Sequence, residues 1–428
     1  MTGVEEAWFE RSRVDWVEAN RIADGTTGIR DAIYGLWRAM AAAPLNVRDL
    51  YRGIDEESLM SAAADVASRQ SLPELPSPYP DNAARDATFT ALAVGLRALE
   101  LKLAGLADGG TLRRGQQCLA SFGGDRAYVV PIRPRHRRAA TRHPFARRAL
   151  VGLRVLPLSH MGVNVRVRFQ EDPNRQCGDP NEDLPMAAAL FPGLVFDVED
   201  TSGGFRIRGA NSADHLGVIE RALRSADASG CLALTLPELT VDDATLAAVR
   251  TKMGDGTWVL EKLGVFVAGS RHADVGGGRF VNVATVLDRY GADVAEHRKL
   301  FRYSDGAGPH EDIALGDTIE VLVTTEAILA FGICLDFCNR TEPSPYPWLD
   351  VDYVIVPSCG GLTTMRGHVE RSNELLQVMK TRSMVVQQHY GDHPSDAPPL
   401  GYVLARREGE PPSVDELATS DDWIMARL

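Results

Sequence analysis

The sequence lacks the marks of a secreted, membrane-spanning or nucleic-acid-coating protein. Cysteine is scarce: Cys118, Cys177, Cys231, Cys334, Cys338 and Cys359 are spread through 428 residues. That is far below the density of a disulfide scaffold, so free thiols are expected. No apolar run approaches the length needed to cross a bilayer, which argues against a membrane partner. Met1 to Glu10 is acidic and mixed rather than basic and then apolar, so a cytoplasmic location is expected. Positive charge is also short. A formal charge of -12 works against a general nucleic-acid binder.

What is present is apolar material in quantity. A hydrophobic fraction of 44% over 428 residues predicts two domains, or one domain with a large appendage. Residues 1–125 read as a helical domain. Glu5 to Ala23, Gly28 to Ala43, Asp55 to Arg69 and Ala83 to Leu106 repeat apolar side chains at three- and four-residue spacing, with acids near several starts. Between the third and fourth runs, SLPELPSPYPDN is a proline-rich loop that no helix could cross. Residues 126–148 read as a basic linker. From Arg126 to Arg154 there is no acidic residue, while Arg133, Arg135, Arg137, Arg138, Arg142, Arg147 and Arg148 gather with His136 and His143. Such a block is a candidate phosphate or nucleic-acid contact, but Pro131, Pro134 and Pro144 favour a solvated connector that docks on the protein's own acidic surface.

Residues 149–428 change to an α/β pattern. Strands are expected at Leu150 to Leu158, Cys231 to Leu236, Gly264 to Ser270, the VNVATVLD segment, Ile319 to Val323, Ile328 to Leu335, Asp352 to Pro357 and MVVQQH. Helices are expected at Asp214 to Ala228, Asp242 to Lys252 and His368 to Thr381. Alternation of this kind predicts a mixed sheet with helices on its faces. The excursion from His160 to Ala213, with its strand-like RVRF, is too long for an ordinary connection and reads as a lid, an extra hairpin or disorder. The near-continuous apolar run Ile328 to Leu335 has the look of a buried strand that would hold Cys334 rigidly at a sheet's carboxyl edge.

Four residues then line up in chain order: Glu238 after LTLP, Lys299 in HRKLF, Glu311 in GPHED, and Cys334 in FGICLDFC. The ordered set resembles the nitrilase, or carbon–nitrogen hydrolase, superfamily, whose catalytic Glu, Lys and Cys occur in this order. The resemblance covers about Ala149 to Arg406 and none of the helical front. The elbow Gly332, Ile333, Cys334, Leu335, Asp336 is one residue tighter between Gly and Cys than the family pattern. Leu335 and Asp336 after the cysteine lie closer to amidase-like branches than to the Trp–Glu of true nitrilases. Cys338 and Cys359 match no family position, and the tail after Asp392 is proline-rich where a further strand is expected. The resemblance implies a nitrilase-like α-β-β-α sandwich preceded by the helical N-terminal domain. It also implies pairing into homodimers or larger homo-oligomers, and a second glutamate, matched by Glu311, that positions Lys299 or the substrate.

The same chemistry follows from the residue types. Attack on an amide carbon needs a thiolate, which Cys334 supplies only after losing a proton. Glu238 can take that proton and return it to a departing amine. A carboxylate beside a thiolate needs a nearby cation; Lys299 provides it and, with the backbone N–H of Leu335, can hold an oxyanion. Asp336 is expected close behind these groups. No metal and no organic cofactor are required. Taken singly, Cys334 would read as a small buried hydrophobe and Glu238 as a residue favouring the dipole of the helix that follows; the ordered set is what singles them out. Zinc ligation by Cys334, Cys338, Cys359, His389 or His393 lacks paired short spacings. A Cys–His protease using His368 or His389 would leave Glu238 and Lys299 without a purpose. The expectation is a cysteine-dependent hydrolase of a small amide or carbamoyl substrate, less readily a nitrile. The alternative is a catalytically silent sensor of the same fold that signals through the helical domain.

Overall fold

A computed structural model of the chain describes residues 2–69, 71–75, 81–106, 118–133, 149–170, 182–304, 308–340, 344–391, 393 and 395–428. Two compact units divide it, Met1–Leu158 and Ser159–Leu428.

In the first unit, α1 (Gly3–Ile22) starts on a capping box in which Thr2 and Glu5 exchange hydrogen bonds, satisfying two of the donors a helix start leaves open. α2 (Gly25–Ala41), a short α3 (Leu45–Asp49), α4 (Glu56–Ala67) and α5 (Asn82–Leu106) follow. Their apolar faces meet around Phe9, Trp16, Ile33, Leu36, Phe89 and Leu96. The unit is not helical throughout. Strands β1 (Leu119–Phe122), β2 (Asp125–Pro131) and β3 (Leu153–Pro157) form an antiparallel sheet. This changes the expected boundary at residue 148. β3, read from sequence as the first strand of the α/β part, joins the N-terminal unit because Leu150, Leu153 and Val155 complete the helices' core together with Val129. Part of the expected linker is likewise strand β2, and the arginine-rich residues 134–148 lie outside the described residues.

In the second unit the chain passes through β4 (Ser159–His160), β5 (Val163–Gln170), β6 (Pro185–Ala189) and a two-stranded hairpin, β7 (Val195–Thr201) with β8 (Gly204–Asn211). Of the readings of the long excursion, the extra hairpin is therefore the one observed, and residues 171–181 fall outside the described set. Then come α6 (His215–Ala228), β9 (Ala233–Thr235), α7 (Asp243–Gly254), and the meander β10 (Val265–Asp274), β11 (Phe280–Asp288) and β12 (Asp293–Arg298). β13 (Thr318–Thr324), β14 (Ile328–Phe331), the one-turn α8 (Leu335–Cys338), β15 (Tyr353–Gly360), α9 (Leu362–Met379) and β16 (Arg382–His389) lead to β17 (Gly401–Arg406), β18 (Ala418–Thr419) and β19 (Trp423–Arg427). The proline-rich tail thus does supply strands.

The strands form a six-stranded sheet ordered β12-β11-β10-β9-β6-β19 and an eight-stranded sheet ordered β18-β17-β16-β15-β14-β13-β5-β4. Val265, Val267 and Ala233 of the first share one core with Leu322, Leu329, Phe331 and Ile355 of the second, so the sheets pack face to face. On the outer face of the six-stranded sheet, Ile219, Leu223, Leu246 and Val249 of α6 and α7 pack against Leu234 and Phe266. α9 lies against β15, β16 and β17 of the other sheet. The layers are α-β-β-α, as expected. Because both faces of β13 and β14 are covered, Val321 and Leu322, and Ala330 and Phe331, are all buried; this is why those strands read as unbroken apolar runs rather than as alternation.

Phe331 sits between the sheets and ends three residues before Cys334. Phe331→Ala should cost about 3–5 kcal/mol through lost burial and a residual cavity, seen as a lower urea midpoint with an unchanged slope.

Candidate active site

The parallel ladder that starts between β14 and β15 runs on past β14. Gly332 N–H donates to Ile355 O at 3.2 Å and Cys334 N–H to Pro357 O at 3.0 Å, so the cysteine is fixed by the last rung of a core sheet. Gly332 is required by close approach. A Cβ there would lie 2.8 Å from the Tyr346 hydroxyl, which itself donates to Phe331 O at 2.7 Å. Cys334 then takes φ 46°, ψ −105°, a strained left-handed turn of the kind a non-glycine residue holds only when its surroundings over-determine it. The turn aims the thiol out of the sheet and opens α8.

Glu238 follows β9 through Leu236 and Pro237. Its N–H donates to Ser358 O at 3.2 Å, and its Oε2 accepts the Cys359 N–H at 3.1 Å. Under this turn β10 bulges between Val267 and Ser270. There Gly269, at φ +64°, passes so close to Pro237 O that a Cβ would sit 2.3 Å from it, and Ser270 Oγ accepts the N–H of Leu239 at 3.2 Å. Lys299 follows β12, held by its N–H to Asn282 O at 2.9 Å. Its Nζ donates to Glu238 Oε1 at 2.7 Å and to Glu311 Oε2 at 2.7 Å. The Cys334 thiol donates to Cys359 O at 3.8 Å, and the N–H of the same Cys359 is the one that donates to Glu238. The four residues picked out by sequence therefore meet in one place, and each is at most 3% exposed.

Two further side chains join them. Asn282 on β11 donates its Nδ2 to Glu238 Oε1 at 2.9 Å and to Glu311 Oε1 at 2.8 Å, a neutral bridge between carboxylates that would otherwise repel. His272 on β10 meets Glu311 Oε1 through Nε2 at 2.8 Å. Neither was singled out from sequence. In VNVATVLD, Asn282 is an amide set between two valines early in a largely apolar strand, and that break in the pattern was the available signal. His272 offers none, because its partner is 39 residues away.

Asp336 is a tie. Its Oδ1 accepts the N–H groups of Leu300 at 2.7 Å and Phe301 at 3.0 Å, and its Oδ2 accepts Ile333 N–H at 3.0 Å and His297 Nε2 at 2.9 Å. One buried carboxylate thereby fastens the segment after Lys299 to the elbow that carries Cys334. The backbone N–H of Leu335 has no acceptor among the described residues. His368, the candidate for a Cys–His pair, instead meets Ser358 Oγ at 2.9 Å, and burial pushes its imidazole down to about 3.

The electrostatics follow from burial and pairing. Burial raises the Glu238 carboxyl above its usual range and the charge of Glu311 adds to this, against the pull of Lys299. For Glu311 burial acts upward too, but Lys299 and His272 outweigh it and hold the carboxyl well below the usual range. Lys299 is pushed down by burial and lifted further by the two carboxylates, ending well above an ordinary lysine. The Cys334 thiol is raised by its hydrogen bond with Cys338, by burial and by Glu238, with Lys299 opposing. Burial and pairing thus favour the protonated thiol and the charged ammonium, beside a carboxyl group of raised proton affinity.

The class defined by fold and site is an α-β-β-α sandwich with a buried Glu–Lys–Glu–Cys cluster. No protein-family model matches the chain, and no curated protein does. Among solved structures it is similar to an amidase from Nesterenkonia sp. at 17% identity and a TM-score of 0.41, over 58% of this chain and 90% of that one. A mutant of the Nesterenkonia AN1 amidase, described as from the nitrilase superfamily, is 16% identical with a TM-score of 0.42 over 59% and 93% of the two chains. A further mutant of that amidase shows covalent addition of the acetamide moiety of fluoroacetamide at its active-site cysteine; it is 16% identical, with a TM-score of 0.38 over 52% and 83%.

Asp336→Ala would leave the donors on Leu300, Phe301, Ile333 and His297 without their acceptor. A loss of about 3 kcal/mol or more is expected in urea unfolding, with Asp336→Asn intermediate because one oxygen is kept.

Proposed function

We propose that the second unit is a cysteine-dependent hydrolase of small non-peptide C–N bonds, acting on amide or carbamoyl compounds in preference to nitriles. The observation that carries this reading is the convergence of a thiol, a carboxylate of raised proton affinity and an ammonium. Lys299 Nζ lies 2.7 Å from both Glu238 and Glu311, and the thiol donates to the carbonyl of Cys359, whose N–H donates to Glu238.

In the proposed reaction Glu238 takes the Cys334 proton as sulfur attacks the carbonyl carbon. The carbonyl π electrons move to oxygen, and the resulting oxyanion is held by Lys299 and the N–H of Leu335. Collapse of the tetrahedral intermediate breaks the C–N bond, and Glu238 returns its proton to the departing nitrogen, leaving a thioester. Glu238 then deprotonates water, which attacks the thioester; the carboxylic acid departs and the thiol regains its proton. Glu311 stays ionised throughout and keeps Lys299 in place. A protonated resting thiol is no obstacle, because a turn about its side chain takes its proton from Cys359 O to Glu238, which the Cys359 N–H holds beside it.

Intact-mass measurement with propionamide, acrylamide and N-carbamoyl compounds, with ammonia followed in parallel, tests the reading. Wild type should show an acyl adduct or ammonia, Cys334→Ala neither, and Glu238→Gln a loss of about 10²–10⁴-fold in kcat/KM. Turnover that survives Cys334→Ala would sink it.

The pH dependence has a definite sign. Glu238 must be deprotonated to act, and its affinity for protons is raised above the ordinary 4.5, so kcat/KM should climb with pH and reach half-maximum above that value. Lys299 is raised well above 10.5, so no fall from its deprotonation is expected below about pH 10.

A further inference from the structure

The hairpin β7–β8 and His272 have no part in the chemistry so far. His272 lies directly opposite Asn282 in the β10–β11 ladder, and both side chains reach the same oxygen of Glu311. The other ring nitrogen is also engaged. The backbone N–H of Ile207, on β8, donates to His272 Nδ1 at 2.9 Å. A backbone N–H can only donate, so Nδ1 accepts and bears no proton. The single ring proton therefore sits on Nε2, directed at Glu311 Oε1 2.8 Å away. A histidine whose second nitrogen is fixed in this way has both its tautomer and its ring orientation set.

The same hairpin grips the loop that carries Glu311. Phe205 N–H donates to His310 O at 2.9 Å, and Asp312 N–H to Phe205 O at 2.9 Å. Thr201 Oγ1 donates to Asp312 Oδ2 at 2.9 Å, and Arg206 forms an ion pair with Asp312. These contacts place the residues on either side of Glu311; the carboxylate itself is reached from the hairpin by the side chain of His272, and by the backbone of Tyr303, whose ring packs edge-on to Phe205 and whose N–H donates to Oε2 at 3.3 Å.

We propose that the β7–β8 hairpin is part of the catalytic apparatus and acts through His272: the Ile207 N–H sets the imidazole, the imidazole orients the Glu311 carboxylate, and Glu311 places the Lys299 ammonium. His272 is a positioning residue, and this inference rests on the hydrolase reading of Lys299. The competing account is that His272 merely pins the hairpin.

Three substitutions separate the two. His272→Gln keeps an N–H that reaches Glu311 and gives up the acceptor at Nδ1. His272→Asn keeps an oxygen for the Ile207 N–H and is too short for Glu311. His272→Phe loses both. With propionamide as the probe, Asn and Phe should lose about 10- to 100-fold in kcat with KM held within about threefold, and Gln should recover most of that loss. The rate at which iodoacetamide alkylates Cys334, read by intact mass, should fall in the same order, because a misplaced ammonium no longer favours the thiolate. Wild-type kcat in Asn with a loss in Gln, or equal rates in all variants, overturns the relay. If Phe does not fold, the Gln and Asn pair decides. A wild type that is alkylated at Cys334 yet releases no ammonia from propionamide, acrylamide or N-carbamoyl compounds sinks the hydrolase reading, and the alkylation order then judges the relay. A wild type that does neither removes both.

Discussion

An ammonium buried between two carboxylates is the constraint on which the second unit depends. Lys299 is 2% exposed and 2.7 Å from both Glu238 and Glu311. Burying such a charge is tolerable only with good geometry and full pairing, and leaving it unpaired is far costlier than the pair is stabilising. Each group around it answers that demand. Asn282 donates to both carboxylates, His272 adds a donor to Glu311, and the Cys359 N–H adds one to Glu238. The result is an arrangement in which Lys299 has almost no freedom, so that its charge is preorganised.

The fold provides that rigidity by drawing each group from the end of a packed strand. Glu238 leaves β9, Lys299 leaves β12 and Cys334 leaves β14, and these belong to two different sheets. The sheets are held in register by a shared apolar core, and Asp336 adds a polar tie between the Lys299 segment and the Cys334 elbow. The strained turn at Cys334 persists because hydrogen bonds fix it on both sides, to Pro357 before it and from Phe337 after it.

Much of this was legible in the chain. The helices of the first unit announced themselves by period and proline punctuation, and lie within a few residues of their expected bounds. The strands around Cys334 were legible as apolar runs because residues on both of their faces are buried. The site was legible only as an ordered set, since Glu238, Lys299, Glu311 and Cys334 each have an unremarkable local context. The boundary was misplaced because β3 is strand-like wherever it pairs; nothing in its own residues says that its partner is β2. The hairpin inside the excursion was open among several readings for the same reason.

The sequence by itself determined the element types, the chemical kinds of the clustered groups and their order along the chain. These are local properties, carried by apolar period, turn residues and side-chain chemistry. Tertiary structure alone decided that Asn282 bridges two carboxylates, that His272 faces Glu311 with Ile207 behind it, and that Asp336 fastens one strand exit to another. Those facts depend on strand register and on contacts spanning tens of residues. A shift of one residue in the β10–β11 pairing would turn His272 and Asn282 away from the site without changing how either strand reads in the sequence.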